Sequence, residues 1–160
     1  MINLFRILHI LFASMTLALM PVSIILKKRM EQAKGTPGEL ATMGNMLILG
    51  KTMGMIGGLG ILVTGGTMVS LESYKWFAFS EFPWLAWKQT IFATILIINF
   101  ALMMPTAKKM GQLIGARIAS GQNTATDEIR ALGGKTAIYG ILMNLLALTA
   151  MTLGVSKGIF

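Results

Sequence analysis

The sequence predicts an all-α protein, a bundle of four transmembrane helices with both termini on the outer side. Three observations predict it. Hydrophobic residues make up 54% of the 160 residues and charged residues 12%, about half the charge of a soluble domain. The apolar residues gather into four runs, each long enough at about 1.5 Å per residue to cross a hydrocarbon layer about 30 Å thick. The basic residues collect in alternate loops. Such a composition excludes a disordered chain. The absence of cysteine excludes disulfides, thiolate metal sites and cysteine nucleophiles, and a single histidine excludes a histidine-cluster metal site within one chain.

The first span covers about residues 2–26, interrupted only by Arg6 and His9 and stopped by Lys27-Lys28-Arg29. It is too long for a signal-peptide core, and no small-residue cleavage site precedes the basic stop, so it reads as a permanent helix. The second covers about 43–71, is rich in glycine and contains Lys51. The third covers about 84–104, with Lys88 near its start and Pro105 just past its end; the fourth covers about 136–155. The chain reads as a single integral membrane domain over 1–160, with the lipid bilayer as its first partner.

Charge sets the orientation. Lys27, Lys28, Arg29 and Lys34 follow the first span, and Lys108, Lys109, Arg117, Arg130 and Lys135 follow the third. Between spans two and three, Lys75 stands against Glu72 and Glu81. The positive-inside rule places the two basic loops in the cytoplasm. Tyr74, Trp76, Phe77, Phe79, Phe82, Trp84 and Trp87 crowd the remaining loop, as an outer interfacial belt with a short helix or turn would. The net charge of +8 is therefore topological. No basic stripe interleaved with stacking aromatics is present, so nucleic acid is not expected.

The basic loops carry pattern of their own. Met110, Leu113, Ile114 and Ile118 recur at helical spacing beyond Pro105, so the third helix continues or restarts there as an amphipathic piece. Ser120-Gly121-Gln122-Asn123 reads as a turn and Thr126-Asp127-Glu128 as a helix start.

Lipid tails give no hydrophobic drive for helix association, so small and polar residues mark the contacts. Gly50, Gly54 and Gly58 lie at four-residue spacing, with Gly57, Gly60, Gly65 and Gly66 extending the surface. Two readings stand: close helix contact, or room for a flat cofactor against Gly54 and Gly58. On the first helix His9, Thr16 and Ser23, with Ala13 and Met20, form a stripe that points inward. Lys88 and Asn99 share a face of the third helix, and Asn144 and Met151 one of the fourth.

His9 is the leading chemical candidate, because ionisable groups inside a span are rare and functional by default. A neutral imidazole is an axial ligand for haem iron; the plainer reading is a histidine bonded to a neighbouring helix. Lys88 shares its depth, as a cation for a propionate or substrate carboxylate or as a snorkelling lysine. Lys51, on the inner side, reads as snorkelling. Met151 and Met68, nearest the outer ends of the fourth and second helices, are the methionines that best match His9 in depth for a second axial position, and Met151 is preferred because it shares a face with Asn144. The groups Met43–Met46, Met53–Met55 and Met103–Met104 suit Cu(I) or simply fill space. No carboxylate falls inside a span, which argues against a carboxylate proton relay or an acid–base hydrolase.

Several short motifs together resemble a known family. Leu8-His9-Ile10, Trp84-Leu85-Ala86-Trp87-Lys88, the segment from Met110 to Thr124 and the closing Val155-Ser156-Lys157 are similar to those of the HemJ-like small bacterial membrane protoporphyrinogen oxidases and their copper-export-domain (CopD-like) relatives. The resemblance implies haem b on His9, a functional lysine at Lys88, an oligomeric assembly, oxidation of protoporphyrinogen IX and residence in the bacterial cytoplasmic (inner) membrane. The family's Leu-Pro-Arg is replaced here by Leu19-Met20-Pro21-Val22, and its Asn-Glu pair before the last helix by Gly133-Gly134. Those departures favour a relative that keeps the cofactor in a changed redox role. The alternatives are a non-enzymatic electron-carrying or structural subunit of a larger membrane complex and, third, a copper-handling membrane protein.

Overall fold

The computed structural model describes residues 2–155; Ser156 and Lys157 of the closing motif lie outside them. Helix α1 covers Ile2–Gln32, α2 Gly38–Leu71, α3 Pro83–Ile98, α4 Met104–Ala119 and α5 Asp127–Val155. A π-helical segment, Asn99–Met103, joins α3 to α4, so Pro83–Ala119 forms one helical rod. Among the described residues four helical stretches are therefore long and apolar enough to cross a membrane. These are the proportions of a multi-pass membrane protein.

The π segment has a local cause. Pro105 has no N–H, and its ring crowds the carbonyl four residues back. The helix widens to absorb this: the Met104 N–H donates to the Asn99 carbonyl five residues back, which is the π register. The other ends follow their sequence signals. Gly121, at φ +73°, terminates α4; its N–H donates to the Ile118 carbonyl and that of Gln122 to the Arg117 carbonyl, a Schellman end. Thr126 starts α5 by accepting the Ile129 N–H on its hydroxyl at 3.3 Å. The aromatic loop between α2 and α3 is a series of turns held by edge-on rings, Tyr74 against Phe82 at 4.8 Å and Phe79 against Trp87 at 5.5 Å.

Helices α1 and α2 form an antiparallel hairpin, α5 packs on α3, α4 and α1, and α2 meets α4. The bundle has a terminal end, where α1 begins and α5 finishes, and a basic end, where the two lysine- and arginine-rich connections lie. Each of the four membrane-length stretches is longer than its predicted span, and nearly all of the excess lies at the basic end.

The two ends are built differently. Along the spans, large apolar side chains such as Ile7, Ile10, Val63, Ile97 and Ile138 face outward, and α1 has no fully buried residue. The inward stripe of α1 is as expected: His9, Ala13, Thr16, Met20 and Ser23 are all partly covered. At the basic end, Leu40, Met43, Met110, Ile114, Ala125 and Ile129 form a fully buried cluster, flanked by Met30, Leu47, Leu113 and Leu132. All six but Met43 lie outside the predicted spans. Burial of apolar side chains is driven by water, so a core of this kind belongs where helices project out of a hydrocarbon layer.

A carboxylate sits inside that core. Glu39 is 1% exposed. The Arg130 guanidinium donates to it twice, Nε to Oε1 at 2.8 Å and Nη2 to Oε2 at 3.0 Å, and the Gly35 N–H adds a third bond at 2.9 Å. Arg130 also reaches Asp127. This clasp ties the first turn of α2 to the first turn of α5.

Candidate functional site

Four helices contribute to a polar site near the terminal end. α1 supplies His9. Its Nδ1 lies 2.9 Å from the hydroxyl of Thr64 on α2, a residue 3% exposed. The hydroxyl has one hydrogen and gives it to its own helix, to the Gly60 carbonyl at 2.6 Å. Its oxygen must then accept from the imidazole. Neutral His9 therefore carries its proton on Nδ1, and Nε2 holds the lone pair.

The close approach of α1 to α2 depends on missing side chains. A Cβ on Gly57 would overlap the Thr16 hydroxyl, and one on Gly60 would overlap the Phe12 ring. A Cβ on Gly65 would come within 3.2 Å of the His9 ring. Residues 9, 12 and 16 of α1 thus lie level with 64, 60 and 57 of α2. The expectation of close contact through Gly50, Gly54 and Gly58 is corrected here: a Cβ on any of these three meets nothing within 4 Å. Gly54 and Gly58 border open space, and the packing face is rotated toward Gly57, Gly60 and Thr64.

Lys88 joins the site from α3, within electrostatic range of His9. Its ammonium stands 6.0 Å from the centre of the Trp84 ring. Its side chain lies along Gly154 of α5, where a Cβ would sit 2.9 Å from Nζ. Gly154→Leu is expected to expel the lysine from this position, and a pH titration of His9 by NMR should report the loss of its charged neighbour. Met151 is elsewhere, on the outside of α5 and 46% exposed, although Asn144, seven residues earlier, is partly covered. Met43 is committed to the basic-end core, while Met55 and Met104 face outward. Lys51 is exposed on α2.

The aromatic loop covers this end of the bundle. Arg6 of α1 pairs with Glu72 just past α2. Burial first, then Glu72, push the Tyr74 phenol up from its usual range. Phe77 adopts φ +53°, uncommon for a bulky side chain, and its N–H donates to Oε1 of Gln89 on α3 at 2.6 Å. The amide nitrogen of Gln89 is buried without a hydrogen-bond partner among the described residues.

The sequence pointed to His9 and Lys88 but missed Thr64, Gly154 and Gln89. Thr64 was available as a signal: Gly57, Gly60 and Thr64 are spaced by three and four, as one helical face requires. Beside the site an apolar groove of about 480 Å³ runs along the α1–α2 seam, walled by Phe5, Leu8, Phe12, Leu59, Gly60 and Thr64 among others. Among the described residues no group of three or more histidine, aspartate or glutamate side chains is placed to hold a metal ion. Comparison with family models, curated proteins and solved structures returns no match.

Proposed function

We propose that the chain is a multi-pass protein of the bacterial cytoplasmic membrane, its terminal end outward, that holds haem b through His9 and serves a redox role. The observation that carries the reading is the Thr64 hydroxyl, which fixes the imidazole as the Nδ1–H form. Metal-binding histidines are held in this way, one nitrogen bonded to a neighbour and the other presenting its lone pair. The donor chemistry suits haem: Nε2 of His9 would be the ligand nitrogen, and Lys88 would supply a cation for a propionate. The groove at the α1–α2 seam, sharing Thr64 with the histidine, offers apolar surface. Bound haem would supply one-electron chemistry. The chain's own part is to orient the imidazole, keep its tautomer, and set Lys88 against negative charge. Oxidation of protoporphyrinogen IX is the enzymatic form of this proposal, with Lys88 holding a substrate carboxylate.

The test is an optical spectrum of detergent-purified protein, oxidised and dithionite-reduced. A sharp reduced α-band is expected in wild type and none in His9→Ala. Thr64→Val removes the hydroxyl acceptor of the imidazole and leaves the Ile61 carbonyl, and about a tenfold loss of haem affinity is expected, the size seen when outer-shell partners are removed. A featureless spectrum in folded protein expressed with ample haem would sink the reading. The alternative, a structural or electron-carrying subunit of a larger membrane complex, would then be favoured by stable co-purification with partner subunits.

A further inference from the structure

Lys51 is at odds with its surroundings. The α1–α2 register that levels Thr16 with Gly57 carries on to level Lys51 with Val22, five residues short of Lys27. Lys51 therefore stands about 7 Å to the hydrocarbon side of the first lysine of the basic stop. It is exposed there, and no carboxylate among the described residues pairs with it. It lines a groove of about 380 Å³ with Ile48, Thr52, Met55 and Ile56.

Thr52 is also unusual. Among the described residues, the other threonines inside helices return their hydroxyl hydrogen to a carbonyl of their own helix, as Thr42, Thr64, Thr67, Thr90 and Thr106 do. Thr16, Thr94, Thr136, Thr149 and Thr152 do the same. Thr52 makes no such bond. The groove thus presents an ammonium and a hydroxyl donor side by side, with Ile48 on their basic-end side and Met55 and Ile56 running deeper. Gly54 and Gly58 beside them leave the helix surface open.

We propose that this groove binds an anionic phospholipid of the inner leaflet. Lys51 and Thr52 hold its phosphate, and one acyl chain lies over Met55 and Ile56. The charge complementarity offsets the cost of a lysine held below the headgroup plane. The inference rests on the membrane reading above, and is independent of haem.

Native mass spectrometry of the detergent-purified full chain, titrated with phosphatidylglycerol and separately with phosphatidylcholine, tests it. Wild type is expected to retain phosphatidylglycerol in preference. Lys51→Gln is expected to weaken that binding by about fivefold, the worth of one lysine near a membrane surface, and Thr52→Val to weaken it further in the double variant. Lys34→Gln, on an exposed connection, should leave it unchanged. Equal retention of the two lipids, or full retention by Lys51→Gln, overturns the proposal. So do lipid-free dimers that Gly54→Leu returns to monomers, because a second copy then covers the face. Alkaline carbonate extraction of cell membranes separates the two levels. If wild type is released, the membrane reading fails and this inference with it; if wild type stays and Lys51→Gln binds normally, the lipid site alone fails.

Discussion

Arg130→Ala is expected to lower the thermal unfolding midpoint of the protein clearly, because it leaves the buried carboxylate of an ion pair without its counter-charge. The reason lies in where Glu39 sits. It is 1% exposed against the core of Leu40, Met43, Met110, Ile114 and Ile129. Without the guanidinium its charge keeps only backbone N–H groups, those of Gly35 and Ala125. Glu39→Ala should cost less, because Arg130 is partly exposed and retains Asp127. The double variant Glu39→Leu, Arg130→Met should recover most of the loss, since apolar replacement of a buried pair is often close to neutral. Thermal unfolding in detergent, followed by circular dichroism, measures all four proteins. If Arg130→Ala unfolds within a degree or two of wild type, the clasp contributes nothing and the buried placement of Glu39 is wrong.

Gly60→Ala is expected to cost about 1–3 kcal/mol, the usual penalty for forcing a methyl group into filled space. The added carbon would overlap the Phe12 ring, and the ring cannot retreat without opening the α1–α2 hairpin or disturbing Thr64. Gly58→Ala, two residues away and facing open space, should be neutral or slightly stabilising. In a Phe12→Ala background Gly60→Ala should lose most of its effect, and that non-additivity identifies the contact. Equal effects of Gly58→Ala and Gly60→Ala would mean that the packing face is misassigned.

The four spans, the inward stripe of α1 and the start of α5 were legible because each rests on local pattern: run length, seven-residue spacing, a threonine followed by two acids. His9 and Lys88 were legible as ionisable groups inside apolar runs. The rotation of the packing face on α2 was not. Eight glycines in one span offer two overlapping stripes, and only the positions of Phe12 and Thr16 on the neighbouring helix decide between them. The clasp was invisible for a different reason. Glu39 and Arg130 are 91 residues apart, and each lies in a charged connection that reads as a topology signal. Met110 and Ile114 did show helical spacing, but nothing local says that Leu40 and Ile129 would cover them.

The clasp also orders the protein's assembly. Glu39 leaves the ribosome long before Arg130, when only the first helix and the opening turn of the second exist. Until the last helix begins, its carboxylate has no counter-charge and the apolar residues beside it have no cover. The head of the molecule can close only once the final hairpin is in place and correctly threaded. A chain cut short, or inserted with its last helix reversed, would carry an open, charged wound at its basic end, a mark by which proteolysis can tell an incomplete copy from a finished one.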